Sequence, residues 1–342
     1  MKRTILASLL VLGLLPLSRV SADTIVLPGG SEVRGVVLAE DDGGVRLLLP
    51  GGDVLALRRA DVKEVVRDAD APKPGQHMRY REPDESGGGL DVAVTYYVHP
   101  GGGPRVDLVG AVHIADPAFF RRAQKLLDAA TVVLYEGVKA ADATAAEFEK
   151  ATDEPNPVRE LQQKLAKWFG LAFQLEAIDY TRENFVHADL TAEEFLGLAK
   201  PGSGTDEKPA SAGEAAEGLM GQVGAVAKLL KLAGPLIDLL MGQEESAGPL
   251  RKSLKKQFAR ALGTMDVQGA LGAISPEAAA LLLTKRNAVV IKRLLEQRET
   301  VEGSIAVFYG AAHLTGIEKA LVEKHGYRRA GARWIRAWDV EK

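Results

Sequence analysis

The sequence predicts an α/β fold: a mixed or mostly parallel sheet flanked by helices, preceded by a small all-β module. Three observations carry this. Residues 105–135 alternate strand, helix and strand, which demands a parallel pair and a right-handed crossover. A second apolar strand, residues 305–309, runs straight into another helical pattern. Residues 23–67 instead show short apolar runs between Gly, Asp and Pro turns, such as Pro28-Gly29-Gly30 and Asp41-Asp42-Gly43-Gly44, the mark of a meander or small barrel.

The elements follow in order. Lys2 and Arg3, an apolar run over 5–17 and Val20-Ser21-Ala22 read as a secretory signal cut after Ala22, so the chain is expected to be exported, periplasmic or extracellular. The apolar run is shorter than the ~20 residues that span a bilayer, and an uncleaved anchor is the alternative. The β module, 23–67, reads as structural or docking. The stretch 68–89, polar and rich in Pro and Gly, reads as a linker. The α/β domain then fills 90–342. Its strands are expected at 90–98, 105–109, 132–135 and 305–309. Asp116-Pro117 is a helix start, with Asp as N-cap and Pro at the first helical position. Thr191–Glu194 and Thr315–Glu318 read as capping boxes, and Gly326 as a helix stop. A long helix is expected from Pro276 to about Arg298, and two Trp-bearing strands near 327–339. Residues 201–215 are a low-complexity insertion. The apolar helical segment 216–242, centred on 219–241, contains Lys228, Lys231, Pro235 and Asp238; it reads as a helical hairpin or lid, with membrane or protein contact as the alternative.

Composition narrows the chemistry. With 342 residues and no Cys, disulfides, thiolate zinc sites and a Cys nucleophile are excluded. Only six His are present, and a net charge of −3 gives no support for nucleic-acid binding.

Two of those His stand in rhyming segments, Gly110-Ala-Val-His113 and Gly310-Ala-Ala-His313. The bare G-x-x-H pattern is weak, with ~0.6 copies expected by chance. Its context is stronger, because each copy follows an apolar strand and precedes a helix start. Ligands of open α/β sheets bind outside the carboxyl ends of strands. A helix N-terminus disfavours imidazolium, and neutral His is the form that ligates metal or acts as a base. Glu136 follows strand 132–135 and falls at the same edge if the strands are neighbours. Two His and a carboxylate suit a divalent metal with open positions, whose bound water titrates near ~7. Without metal, a His serves as general base and Glu136 orients it or moves protons. A hydrogen-bonded loop role is the bland alternative for each His. Arg286 is either an exposed helix residue or a fixed cation for a substrate carbonyl or carboxylate. His187 and Asp189 read as structural, and His77, His99 and His325 have no supporting context.

At these residues the sequence resembles the TraB/GumN family, which includes the Tiki proteins. The matching pieces are Leu108-Val-Gly-Ala-Val-His113, Val133-Leu-Tyr-Glu136-Gly-Val-Lys, Phe173-Gln-Leu-Glu-Ala-Ile-Asp179-Tyr, Arg286-Asn287 and Tyr309-Gly-Ala-Ala-His313-Leu. They span roughly 90–338 and leave the β module outside. The resemblance implies an erythromycin-esterase/ChaN-like fold and His113, His313, Glu136 and Arg286 as functional residues. It implies a metalloprotease-like hydrolase acting on a peptide or small-molecule substrate with Mn, Co or Zn. The esterase relatives, which use His and Glu without metal, imply a metal-independent esterase or amidase instead. A non-enzymatic peptide-, haem- or metal-binding protein is the third expectation.

Overall fold

The computed structural model describes residues 23–49, 53–85, 87–137, 157–191, 194, 248–264 and 279–341. The expected signal at 1–22, the insertion 201–215, the apolar segment 216–242 and Pro276 lie outside them. Among the described residues, no helix is long and apolar enough to cross a membrane.

Five antiparallel strands build the N-terminal module: β1 (Asp23–Val26), β2 (Glu32–Asp41), β3 (Gly44–Leu48), β4 (Val54–Arg58) and β5 (Glu64–Val66), in the order β4-β3-β2-β1-β5. Alternation places Ile25, Val37, Val45 and Leu47 in its small core. The opposite face of β2 and β3 is equally apolar, and Val36, Leu38 and Leu48 are buried in the main core with Ile335 and Trp338. The module is therefore packed onto the α/β domain.

The α/β domain begins earlier than expected. Within the expected linker 68–89 lies β6 (Met78–Arg81), which pairs with β7 (Gly89–Val98). Arg79 ties that segment down, taking Asp70 at 2.5 Å and Asp91 at 3.1 Å. His77 lies buried with its Nε2 2.8 Å from Glu318 Oε2. These side chains convert a Pro- and Gly-containing stretch into a docked strap.

Next come β8 (Arg105–Ala111), β9 (Ile114–Ala115), α1 (Pro117–Asp128), β10 (Val132–Tyr135), α2 (Pro157–Phe169), β11 (Ala172–Phe173), α3 (Gln174–Ala177) and β12 (Phe185–His187). After α4 (Gly248–Thr264), a π-helical turn (Ala280–Lys285) leads into α5 (Arg286–Arg298), then β13 (Ser304–Gly310), α6 (Ala311–His325) and β14 (Arg328–Asp339). The main sheet has seven strands, ordered β12-β10-β13-β8-β7-β14, with β6 also on β7. β12, β10, β13 and β8 are parallel; β7, β14 and β6 are antiparallel additions. Helices cover both faces, which explains the apolar runs of β8, β10 and β13, interrupted in β8 by Asp107, whose carboxylate Arg105 satisfies. One face packs on α1 through Phe120, Ala123 and Leu127, the other on α5 and α6 through Val290, Leu294, Leu314 and Ile317. The mixed α/β class is as the sequence predicts.

Four local expectations are corrected. Asp116 is the N-cap of α1 and Pro117 its first residue, as expected, but the Asp116 carboxylate makes no side-chain capping bond; it accepts the Asp339 N–H at 2.5 Å and so anchors the end of β14. Thr315–Glu318 is not a helix start, because α6 begins directly after β13 at Ala311 and these residues lie inside it. The expected Trp-bearing pair is a single strand, β14, continuous across two register shifts and paired along β7. Within the expected long helix to about Arg298, Ala280–Lys285 is π-helical, and α-helix begins at Arg286. The box Thr191–Glu194 does form, with reciprocal bonds of 2.8 and 3.1 Å, and Gly326 closes α6 at φ 69°.

Candidate active site

β8 and β10 are parallel but are not neighbours. β13 lies between them, so the two strands followed by G-x-x-H sit side by side, with the strand that carries Glu136 next in line. The carboxyl ends of β8, β13 and β10 thus deliver His113, His313 and Glu136 to one edge.

The backbone fixes each of them. After β8 the chain turns into β9, which pairs with β11, and the His113 carbonyl accepts the Gln174 N–H at 2.8 Å. The Glu136 N–H donates to the Phe308 carbonyl at 3.2 Å, so the residue continues the β10–β13 ladder. His313 occupies the first turn of α6 and is buried.

Glu136 is the hub. Its Oε1 accepts Arg286 Nη2 at 2.8 Å and lies 3.5 Å from His313 Nε2. Its Oε2 accepts the Gly310 N–H at 2.5 Å. Burial pushes the carboxyl pKa up, but His313, Arg286 and the Gly310 amide outweigh it and hold the group at about 2. Glu136 is therefore ionised across the whole neutral range.

Arg286 is held from its other side by Asp189. Nε donates to Asp189 Oδ1 at 2.9 Å and Nη2 to Oδ2 at 2.5 Å, a bidentate fork. Asp189 also accepts the N–H groups of Gly137 and Leu190, at 2.9 and 2.8 Å. Burial works against the guanidinium charge, and the two carboxylates outweigh it, so Arg286 stays charged. A single-sided pair would leave a buried charge poorly compensated, whereas this triad satisfies each oxygen.

Asn287, the next residue, serves His313. Asn287 Oδ1 lies 2.7 Å from His313 Nδ1, and Asn287 Nδ2 donates to the His313 carbonyl at 3.3 Å. Tyr309 stands edge-on to the His313 ring, and its hydroxyl donates to the Ala188 carbonyl. The π-helical turn before Arg286 ends where two successive residues must reach two different partners; π turns recur at functional sites for such local re-aiming.

His113 differs from its counterpart. It is exposed to solvent, yet the protein around it desolvates the imidazole and lowers its pKa, with Glu136 raising and Arg286 lowering it to lesser degrees. The ring is neutral at pH 7 and within the electrostatic reach of Glu136.

Of the four predicted residues, Glu136 meets Arg286 and His313 directly, whereas His113 follows the neighbouring strand β8 and acts on Glu136 only through its field. Asp189, which reads in the sequence as structural, holds Arg286, and Asn287, which carries no signal of its own there, holds His313. Asp189 follows β12, the neighbour of β10, so its place at the same edge depends on a strand pairing invisible in the sequence. His187 stays structural, its Nε2 2.5 Å from the Gly137 carbonyl. His99 packs edge-on against Tyr327, away from these strand ends.

The donor set fits a divalent cation in part. Two donors at about 2.0–2.2 Å from one tetrahedral ion lie about 3.4 Å apart, close to the 3.5 Å between His313 Nε2 and Glu136 Oε1. The Nδ1 contact to Asn287 is the outer-shell bond that metal-ligating His commonly makes. Against this, Arg286 already occupies Glu136 Oε1, and among the described residues no group of three or more His, Asp or Glu is gathered as a cation cluster. In comparisons with known proteins, no family model matches the chain and no curated protein matches it.

Proposed function

We propose that the protein is an exported, TraB/GumN-like hydrolase that cleaves a peptide or amide bond with activated water at the carboxyl edge of β8, β13 and β10. The observation that carries this reading is the Glu136 hub: an ionised carboxylate held by Arg286 and Gly310, facing His313 Nε2 across 3.5 Å, with His113 within its electrostatic reach. His313 and Glu136 would hold a divalent cation, Mn, Co or Zn, with His113 as third donor. Such an ion supplies Lewis acidity and brings the pKa of a coordinated water to ~7. Arg286, a fixed positive charge beside this centre, stabilises the developing oxyanion or anchors a substrate carboxylate. Asp189 keeps the guanidinium from swinging away.

A second reading has its own observation. Arg286 at 2.8 Å already gives Glu136 a cationic partner, so the same residues can work without metal. His113 then takes a proton from water at a ring nitrogen, and Arg286 stabilises the oxyanion.

The test joins metal analysis to peptide hydrolysis, for the wild type and for His113→Ala. The expected result is cleavage by the wild type, lost on chelation and restored by Mn²⁺ or Co²⁺, and a fall of about 10²–10⁴ in His113→Ala. Cleavage that survives exhaustive chelation favours the metal-free route. Full activity in His113→Ala, with unchanged metal content, overturns the assignment.

A further inference from the structure

The two G-x-x-H segments diverge three residues after the His. Gly110-Ala-Val-His113 continues to Asp116, whereas Gly310-Ala-Ala-His313 continues to Gly316. Gly316 lies within α6, where no left-handed backbone demands glycine, and glycine is otherwise unfavourable in a helix interior. Its reason is space. A Cβ at this position would stand 2.5 Å from Asn287 Nδ2, so the absent side chain is what lets the Asn287 amide lie against α6.

The amide is oriented by chemistry. The His313 carbonyl can only accept, so the Asn287 atom that faces it at 3.3 Å is the NH₂ group. Its oxygen is then the atom 2.7 Å from His313 Nδ1, and that nitrogen must carry a proton to donate. When the ring is neutral the lone pair is therefore left on Nε2, the nitrogen 3.5 Å from Glu136 Oε1; only the protonated ring turns an N–H towards that carboxylate and helps to hold its pKa down. The chain holds the imidazole in the one tautomer that offers its lone pair to the reacting edge.

We propose that Asn287 is a positioning residue that fixes His313 as the Nδ1–H tautomer, and that Gly316 is the space-giving residue on which this depends. The proposal rests on the reading of His313 as part of the site, and it states how that site is kept ready before any substrate or ion arrives. Because the obstacle at Gly316 is the tip of a flexible side chain, Gly316→Ala displaces Asn287 and leaves the helix intact.

The experiment is long-range ¹H–¹⁵N NMR of the His313 ring in the full chain, at a pH where the ring is neutral. The wild type is expected to show a protonated Nδ1 and a lone-pair Nε2. Asn287→Leu, which keeps the shape and loses the acceptor, and Gly316→Ala are both expected to shift the ring towards the Nε2–H form; Asn287→Asp, which keeps an acceptor oxygen, retains Nδ1–H. A wild-type ring protonated at Nε2, or a ring unmoved in both Asn287→Leu and Gly316→Ala, overturns the proposal. Peptide hydrolysis is read separately, with a fall of about 10–100-fold expected in Asn287→Leu. A tautomer shift without any hydrolysis in the wild type counts against the hydrolase reading and leaves the positioning role standing.

Discussion

Glu136, the hub of the proposed site, is also a stabilising residue. Its pKa, about 2 in the folded protein against an ordinary 4.5, makes the folded state the weaker proton binder. The stabilisation is therefore complete above about pH 4.5 and is lost as pH falls towards 2. A depression of this size corresponds to something on the order of 3 kcal/mol. Glu136→Gln removes that component, so its unfolding free energy is expected to fall less steeply than the wild type's between pH 5 and pH 2.5. Chemical denaturation across that range checks this, and parallel pH profiles would contradict it. The residue scale is also where the sequence was most and least legible. His113 and His313 stood out because a repeated strand–Gly–x–x–His–helix context is rare. Asp189 and Asn287 did not, because their roles come from partners 97 and 26 residues away, Arg286 and His313. No local spacing records such a bond.

At the scale of elements, the two G-x-x-H turns use their glycines differently. A Cβ on Gly110 would collide with Val92 Cγ1 and lie 3.3 Å from the Ala93 carbonyl and 3.4 Å from Leu314 Cδ1, so this glycine serves the packing of β8 on β7 and α6. A Cβ on Gly310 would instead stand 3.1 Å from Glu136 Oε2. That glycine serves the carboxylate, whose oxygen its own N–H also holds. Gly110→Ala is accordingly expected to cost about 1–3 kcal/mol of stability through overpacking, read from the denaturation midpoint. Gly310→Ala is expected to lower hydrolysis out of proportion to stability; equal losses in both would argue that Gly310 is only a packing residue. The strands were readable from their apolar runs. Their order was not: adjacency of β8 and β13, with β10 beyond, follows from long-range pairing. The displaced capping box at Thr315–Glu318 has a related cause. The local signal was present, but β13 passes directly into α6 and starts the helix a turn early.

At the scale of the whole molecule, the β module and the α/β domain share a core. Val36, Leu38 and Leu48 are buried with Ile335, Trp338 and Val340, and a Cβ on Gly331 would run into Val36. Composition reads the module as all-β, as found, but reads the following stretch as a linker although β6 lies within it, because Pro and Gly report local backbone freedom and are silent about what Arg79 and His77 bind. A shared core predicts one cooperative thermal transition for the chain, with Leu48→Ala lowering the unfolding free energy by the roughly 2–5 kcal/mol typical of a buried leucine. Two separated calorimetric transitions would contradict that unity. The sheet built on that core carries the proposed site at its carboxyl edge. Peptide hydrolysis is measured for the wild type and for Glu136→Gln, with folding of both verified and Mn²⁺ supplied. The proposed hydrolase role predicts cleavage by the wild type and a loss of at least about 100-fold in Glu136→Gln. Equal cleavage by the two proteins would contradict it.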